Sequence, residues 1–177
     1  NNADGTFSDF TSESGSVVQA VRTMDLAFGD FDDDGDIDFI TVHEDGNNKL
    51  HRNLRQGKFF DATSESGIAA MGSASTLAVG DFNNDGYLDV FFATNDGTPC
   101  RLYENKSDGT FEENKSSSNT FSVLKTIKTN EAIFFDVDND GHLDLLVAGE
   151  PVKDEDRGIY LFHNDGWGNF KDVSHLL

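Results

Sequence analysis

The sequence predicts an all-β protein with β-propeller architecture, and two interleaved repeats are the observations that predict it. The stretch DFDDDGDIDF begins at Asp30 and recurs as DFNNDGYLDV from Asp81 and as DVDNDGHLDL from Asp136, at spacings of 51 and 55 residues. A second pattern, typified by DGTFSDFTSESG, occurs four times and aligns on four phenylalanines: Phe7, Phe59, Phe111 and Phe170. A period of about fifty residues indicates a repeat architecture such as a propeller.

Each repeat contains four short runs rich in Phe, Val, Leu and Ile and separated by Gly, Asn and Asp, which is typical of β-strands and turns. In the second repeat these runs cover about residues 77–83, 88–94, 100–105 and 109–114. No segment has a sustained apolar period of about 3.6 residues, so we expect no helix longer than a turn or two. Four strands per repeat match the four-stranded antiparallel blade of a propeller. A β-solenoid or a sandwich of duplicated hairpins is the alternative, although its period is usually shorter or less regular.

We expect one propeller segment over residues 1–177, made of three four-stranded blades and a leading outer strand. Residues 1–25 are expected to hold that outer strand of a preceding blade, near residues 5–11, and a linker. The three repeats then cover residues 26–76, 77–131 and 132–177. Closed propellers typically have about four to eight blades, and an open arc of three exposes two apolar blade faces. We therefore expect a larger propeller whose missing blades come from the rest of a longer chain or from other subunits.

The composition argues against nucleic-acid binding and membrane insertion, and the absence of catalytic motifs argues against an enzyme. The formal net charge is −20 and the pI is near 4.2, the opposite of what binding to phosphates or to an anionic membrane surface requires. No stretch approaches the roughly 18 apolar residues of a membrane span. The sequence contains no G-x-S-x-G, no H-E-x-x-H and no phosphate-cradling glycine loop, so we predict no enzyme. The 16 phenylalanines supply the apolar material that a folded core requires.

The repeated aspartates predict three calcium-binding loops. In each loop, side-chain oxygens occupy positions one, three, five and nine, glycine occupies position six, and the carbonyl at position seven faces inward. The expected ligands are Asp30, Asp32, Asp34, the carbonyl of Asp36, and Asp38 in the first loop; Asp81, Asn83, Asp85, the carbonyl of Tyr87, and Asp89 in the second; and Asp136, Asp138, Asp140, the carbonyl of His142, and Asp144 in the third. All are hard oxygen donors, which suit Ca²⁺, whereas zinc or copper favours His and Cys. Three Ca²⁺ ions, with two charges each, would change the formal charge from −20 to −14.

Two other interpretations of these loops have to be weighed. The first six positions look like an EF-hand, but the flanking runs are β-branched and aromatic instead of helical, and position twelve is Thr41, Phe92 or Val147 instead of glutamate. Asp-Gly and Asn-Asp-Gly also make good hairpin turns without any metal. Three copies in phase with the repeat, each with oxygen ligands at the same four positions, favour the metal site.

The sequence resembles the FG-GAP, or VCBS, repeats of integrin-α-like propellers, through AFGDFDDDGDID at residues 27–38, LYEN at 102–105 and DGTF at 108–111. It is also similar to the secreted acidic proteins related to cartilage acidic protein. The resemblance implies a disc of about seven blades, calcium loops between the first and second strands, secretion or surface display, and roles in adhesion or ligand binding. The Phe-Gly pair departs from the family pattern in two repeats: it is present as Phe28-Gly29 but replaced by Val79-Gly80 and Phe134-Phe135.

The sequence therefore predicts a non-catalytic, calcium-binding interaction or adhesion module, secreted or on the cell surface, whose partner is a protein or glycan ligand on cells or in the matrix. Residues 150–158, EPVKDEDRG, form a candidate contact loop, with a solvated charged insertion as the alternative. The second functional hypothesis is a carbohydrate-binding propeller, either a lectin or an accessory domain of a polysaccharide-degrading enzyme. In it Trp167, Tyr103 and Tyr160 stack on sugars instead of packing between blades. Sequons at Asn105 and Asn114 permit N-glycosylation in a secretory pathway.

Overall fold

The computed structural model describes residues 1–15, 21–68 and 72–177, and their strands form three four-stranded antiparallel sheets in chain order. The first sheet consists of β1 (Thr23–Gly29), β2 (Asp38–His43), β3 (Lys49–Asn53) and β4 (Phe59–Asp61). The second consists of β5 (Thr76–Gly80), β6 (Asp89–Ala93), β7 (Arg101–Asn105) and β8 (Phe111–Asn114). The third consists of β9 (Ile127–Phe135), β10 (Asp144–Pro151), β11 (Ile159–Asn164) and β12 (Phe170–Asp172).

Every strand pairs with its neighbour in sequence, so each sheet is an up-and-down meander with the first strand at one edge and the fourth at the other. The all-β prediction and the four strands of the second repeat are confirmed. The helices in the described residues are short: α1 (Thr11–Ser14), α2 (Thr63–Ser66), and two 3₁₀ helices over Thr120–Thr126 and Ser174–Leu176. None of the helices that can be described has the length and apolar character needed to cross a membrane.

The three sheets pack face to face through two hydrophobic cores. Ile40, Val42 and Leu50 of the first sheet meet Val90 and Phe92 of the second. A second core joins the other face of the second sheet to the third, and it includes Phe91, Leu102, Phe134, Leu145 and Phe162. The second sheet is therefore covered on both faces. Because alternate residues of a strand point to opposite faces, all five residues of β6 are buried, and this burial accounts for the unbroken apolar run VFFA.

The first strands of successive sheets also lie beside each other, because β1 contacts β5 and β5 contacts β9. Asp25 of β1 joins the first two of these strands by accepting hydrogen bonds from the hydroxyl of Thr76 (2.7 Å) and the N–H of Leu77 (3.2 Å). The three sheets are therefore stacked in the same order as along the chain, with matching edges together. This arrangement is consistent with successive blades of a propeller.

The predicted leading outer strand near residues 5–11 is not confirmed. Residues 5–10 form no strand, and Phe7 is exposed, whereas Phe59, Phe111 and Phe170 each begin the fourth strand of a sheet. A fourth strand needs a third strand to pair with, and none of the described residues supplies one for this segment. The similarity to the repeat nevertheless extends past it. The TSES sequence that follows forms α1, as TSES after β4 forms α2, and both helices end at a left-handed glycine.

Candidate metal sites

The three aspartate-rich loops connect the first strand to the second strand of each sheet, over residues 30–37, 81–88 and 136–143. They also lie next to one another. The side-chain amide of Asn84 in the second loop is 2.7 Å from Nδ1 of His142 in the third. The loops thus form a row along one side of the stacked sheets.

Two sets of internal hydrogen bonds are the same in all three loops. The carboxylate at position one accepts the backbone N–H groups of positions five and six, as Asp30 does from Asp34 (3.1 Å) and Gly35 (2.9 Å). The carboxylate at position five accepts the N–H of position seven at 2.9 Å in every loop. The equivalent position-one bonds are 3.0 and 2.9 Å to Asp81 and 3.2 and 3.0 Å to Asp136. The three loops therefore have one backbone design.

Two residues in each loop have a left-handed backbone. The glycine at position six has φ of 85°, 94° and 90° in Gly35, Gly86 and Gly141, as the sequence predicted. Position four is also left-handed, with φ between 57° and 62°, and it is always Asp or Asn: Asp33, Asn84 and Asn139. Asp and Asn tolerate this conformation better than most other residues because their short side chains bond locally. Sequence reasoning overlooked position four, although its residue types carried the signal.

The aspartate at position nine is the first residue of the second strand, and it is buried in all three sheets: Asp38, Asp89 and Asp144. Its two oxygens accept one N–H from position two and one from the end of the third strand, as Asp89 does from Phe82 (3.2 Å) and Asn105 (2.9 Å). Burial raises the pKa of Asp89 to about 8 in spite of these bonds, and burial also raises the pKa of Asp38. A carboxylate in this situation lacks a compensating positive charge.

The predicted ligands at positions one, three and nine converge in the first and third loops, whereas the position-five carboxylates, Asp34 and Asp140, are not part of these two groups. Carboxylate oxygens of Asp30, Asp32 and Asp38 lie within 4.8 Å of one another, as do those of Asp136, Asp138 and Asp144. In the second loop, position three is Asn83, whose side-chain oxygen accepts the N–H of Asp85 at 3.1 Å, just as Oδ1 of Asp138 accepts that of Asp140 at 3.3 Å. The second loop thus offers an amide oxygen where the others offer a carboxylate.

Asp32 shows most directly that the loop fits a cation. Its Oδ1 is a buried oxygen without a hydrogen-bond partner among the described residues. Burial first, and the neighbouring carboxylate of Asp34 next, raise the pKa of Asp32. An oxygen that is shielded from water, unbonded and close to other carboxylates suits a hard divalent cation such as Ca²⁺. The clusters can therefore hold a metal ion.

Comparison with known families agrees with this geometry. The profile of the FG-GAP-like repeat matches two overlapping stretches, residues 30–92 and 81–147, which together cover more than half of the chain. The chain belongs to the FG-GAP-like repeat family. FG-GAP-like repeats are generally non-catalytic, are commonly extracellular and are typical of adhesion or interaction modules. A comparison with individual curated proteins finds no significant match.

The side chains at position seven of these FG-GAP-like repeats do not join the acidic clusters. Asp36 pairs with Arg55 (Nε to Oδ2, 2.5 Å), Tyr87 is half-buried, and the ring of His142 contacts Asn84. Only the backbone carbonyls of these three residues were predicted as ligands, and that role stays a prediction.

A further set of functional residues was missed from the sequence: the asparagines that end the third strands, Asn53, Asn105 and Asn164. Besides the N–H bond to position nine, the side-chain amide of each donates to the carbonyl at position eight, at 3.0 to 3.1 Å. Asn105 and Asn164 also donate to position two of the preceding loop, to the carbonyls of Phe31 (2.9 Å) and Phe82 (2.7 Å). Each of these two asparagines thus links two neighbouring loops. The recurring HRN, YEN and FHN at the strand ends was the available signal.

The position of Asn105 also corrects the expectation of glycosylation there. Asn105 is only 2% exposed, and its amide nitrogen already donates to two carbonyls. A glycan on that nitrogen would remove both hydrogen bonds and would have no space, so the folded chain cannot accept one. The sequon at Asn114, which is half-buried at the end of β8, stays a prediction.

The packing of position eight explains the glycine of the Phe-Gly pair. A Cβ atom on Gly29 would lie 2.6 Å from Cδ1 of Leu88, and one on Gly80 would lie 2.9 Å from Cδ1 of Leu143. Glycine therefore allows the apolar residue at position eight of the next sheet to approach. Phe135 occupies the equivalent place in the third sheet, against which no further described sheet packs, so the departure from the family pattern has a steric reason.

Proposed function

We propose that this FG-GAP-like repeat protein is a non-catalytic, calcium-stabilised interaction or adhesion module of an extracellular or cell-surface β-propeller. The observation that carries the proposal is the repetition of one acidic loop design three times, with a buried carboxylate at position nine in each loop and converging carboxylate oxygens in the first and third. Calcium matches this donor set because the set contains only oxygen atoms and several carboxylates.

The role of the ion in this proposal is structural. The carboxylates at positions one and nine hold the end of the first strand and the start of the second, so an ion between them fixes the connection of the two strands. Through Asn105 and Asn164 the same loops bond to the preceding loop. Calcium binding therefore stiffens single sheets and also the contacts between sheets, and rigid sheets present their other loops to a partner.

The propeller itself is supported by the uncovered face of the first sheet. Phe28 is 63% exposed, and Leu26 and Ile37 beside it are also exposed. Their equivalents in the second sheet, Leu77, Val79 and Leu88, pack against the first sheet. In addition, the side-chain amide of Asn53 donates, within the described residues, only to Ile37 of its own loop, whereas those of Asn105 and Asn164 also reach a preceding sheet. We infer that another blade covers this face and supplies the partner of residues 5–11.

That blade comes from the rest of a longer chain or from another subunit, and a closed disc of about seven blades is the architecture that the family resemblance implies. In this proposal the partner is a protein or glycan ligand on cells or in the matrix. The candidate contact loop is shorter than residues 150–158, because β10 continues to Pro151. Residues 152–158 remain outside the strands and carry five acidic or basic side chains, four of which are exposed.

A carbohydrate-binding propeller is the second candidate, and one observation favours it. Trp167 is 81% exposed and stands between Gly166 and Gly168, so its indole ring is available for stacking on a sugar. Tyr103 and Tyr160 are buried between the sheets and cannot serve this purpose. The aromatic surface for a glycan is thus limited to Trp167 among the three residues predicted.

Thermal unfolding with calcium and with excess chelator tests the structural role. At a Kd of about 10⁻⁴ M and free calcium of about 10⁻³ M, one ion stabilises the folded state by about 1.4 kcal/mol, and three ions by about 4 kcal/mol. We expect the melting temperature to fall in chelator by at least 8 °C, taking about 2 °C per kcal/mol for a chain of this size. Equal melting temperatures in both buffers contradict the proposal.

A binding experiment separates the two candidates. Saturable binding on a glycan array that disappears in Trp167→Ala, without a change in melting temperature, supports the carbohydrate-binding function. The protein-interaction function predicts that cells adhere to the immobilised protein and that this adhesion requires calcium. It also predicts that adhesion survives Trp167→Ala and is lost when residues 152–158 are replaced by a Gly-Ser segment. Adhesion that is the same with calcium and with chelator argues against a calcium-stabilised module.

A further inference from the structure

The residue before the terminal asparagine of the third strand contacts loop position three in the first and third sheets, and it differs in charge between the three sheets. In the first sheet it is Arg52, whose Nε lies 3.3 Å from Oδ2 of Asp32. In the second sheet it is Glu104, which pairs with Lys106 at 2.8 Å. In the third sheet it is His163, so among the three equivalent residues only this one offers an imidazole nitrogen to a metal.

His163 is aimed at the free oxygens of two aspartates. Its Nε2 lies 3.2 Å from Oδ2 of Asp138 and 3.6 Å from Oδ2 of Asp140. The Oδ1 atoms are engaged elsewhere, because Oδ1 of Asp138 accepts the N–H of Asp140 and Oδ1 of Asp140 accepts the N–H of His142. The backbone therefore orients both carboxylates and leaves one oxygen of each directed at the imidazole.

We propose that Asp138, Asp140 and His163 bind a divalent transition metal, of which Zn²⁺ is the best fit. One ligand atom from each residue lies within 4.8 Å of the other two. Imidazole nitrogen and carboxylate oxygen are both zinc ligands, and a zinc site with three protein ligands leaves its fourth position to water. All three side chains are about one-third to one-half exposed, so water has access to that position.

The other two loops lack this option for chemical reasons. The guanidinium of Arg52 is always protonated and offers no lone pair to a metal. Beside the second loop, Glu104 is an oxygen donor already paired with an ammonium group, and position three is the neutral Asn83. The transition-metal site is therefore a property of the third loop only.

The site is linked to the proposed calcium function, on which this part of the inference rests, because Asp138 and Asp140 are also predicted calcium ligands of the third loop. Zinc at Asp138, Asp140 and His163 withdraws both aspartates from the calcium set of that loop. We therefore expect zinc to weaken calcium binding at one loop out of three. Zinc would also attach β11, which carries His163, to the loop between β9 and β10. The predicted calcium ligands include no residue of β11.

Zinc titration by calorimetry tests the site, first on protein freed of metal by a chelator and then on calcium-loaded protein. We expect one Zn²⁺ per chain in the natural sequence and an affinity lower by more than about tenfold in His163→Gln. His163→Arg, which copies the pairing of Arg52 with its loop, should lose the site in the same way. The matched control is His175→Gln, since His175 is exposed and belongs to none of the metal clusters in the described residues.

Cobalt replacement gives a second readout. Co²⁺ should produce a visible absorption band in the natural sequence that is lost in both His163 variants and kept in the His175 variant. The inference is overturned if both His163 variants keep the zinc affinity and the cobalt band of the natural sequence. Calcium binding measured on the same samples keeps the two proposals apart. If the protein binds zinc through His163 but binds no calcium, the calcium function alone is refuted. If it binds three calcium ions but no zinc, this inference alone is refuted.

Discussion

Replacing Asn105 by alanine tests whether the loops hold neighbouring sheets together. The side-chain amide of Asn105 donates to the carbonyls of Phe31 (2.9 Å) and Leu88 (3.1 Å), and its oxygen accepts the N–H of Ser107 (3.0 Å). Alanine removes all three hydrogen bonds and leaves two carbonyls without a partner, beside a buried site that water cannot enter freely. At about 1 kcal/mol for each bond, the free energy of unfolding should fall by about 3 kcal/mol.

Thermal and urea unfolding in the presence of calcium measure this loss. In a domain of this size, about 1 kcal/mol corresponds to about 2–4 °C, so the melting temperature should fall by about 6–12 °C. The control is Asn53→Ala at the equivalent position of the first sheet. Asn53 is only half-buried, and its side chain donates to Ile37 and accepts from Arg55 without reaching another sheet. Water can replace those bonds, and we expect a loss below about 1 kcal/mol. Equal losses in the two variants would refute the idea that Asn105 acts between sheets.

Two further predictions concern packing and pH. Gly80→Ala should lower stability by about 1–3 kcal/mol, because its Cβ would lie 2.9 Å from Cδ1 of Leu143 and 3.1 Å from Cβ of Phe134, and an unchanged urea midpoint would contradict the close sheet contact. Burial raises the pKa of Asp89 to about 8, so the calcium-free folded state binds this proton more tightly than the unfolded chain does. Stability in chelator should therefore fall as the pH rises from about 4 to about 8 and then level off, while saturating calcium, which favours the ionised carboxylate, should reduce this slope. Identical slopes with and without calcium would show that Asp89 does not face the ion.

The strands and the loops could be predicted because the repeat fixes both at once. In the second repeat, the expected runs 88–94 and 100–105 enclose β6 and β7, since apolar runs between Gly and Asn turns leave little freedom in where a strand lies. The extension of β10 to Pro151 was not visible in the same way. That part of β10 is polar, and it is a strand only because β9 is long enough to pair with it.

Contacts between repeats were the part that sequence reasoning could not supply. Asn105 looked like a glycosylation site because a sequon is recognised from three consecutive residues. The side chain is instead bonded to the carbonyl of Phe31, which is 74 residues away in the chain. In the same way, Trp167 and Tyr160 could not be distinguished by residue type. The strand position of Tyr160 places it between two sheets, where its hydroxyl lies 2.8 Å from that of Thr126, and the turn position of Trp167 leaves its ring in water. The leading strand is not confirmed for a related reason, since the sequence pattern of a fourth strand does not provide the third strand with which it pairs.

The number of calcium ions bound per chain tests the central claim most directly. Calorimetric titration of chelated protein, combined with elemental analysis after dialysis against about 1 mM calcium, should give three ions for the natural sequence. Asp30→Asn, Asp81→Asn and Asp136→Asn should each remove one ion and leave the other two, because each aspartate belongs to a single loop. A folded protein that binds no calcium under these conditions, or that loses no ion in any of the three variants, would contradict the assignment of the loops as calcium sites.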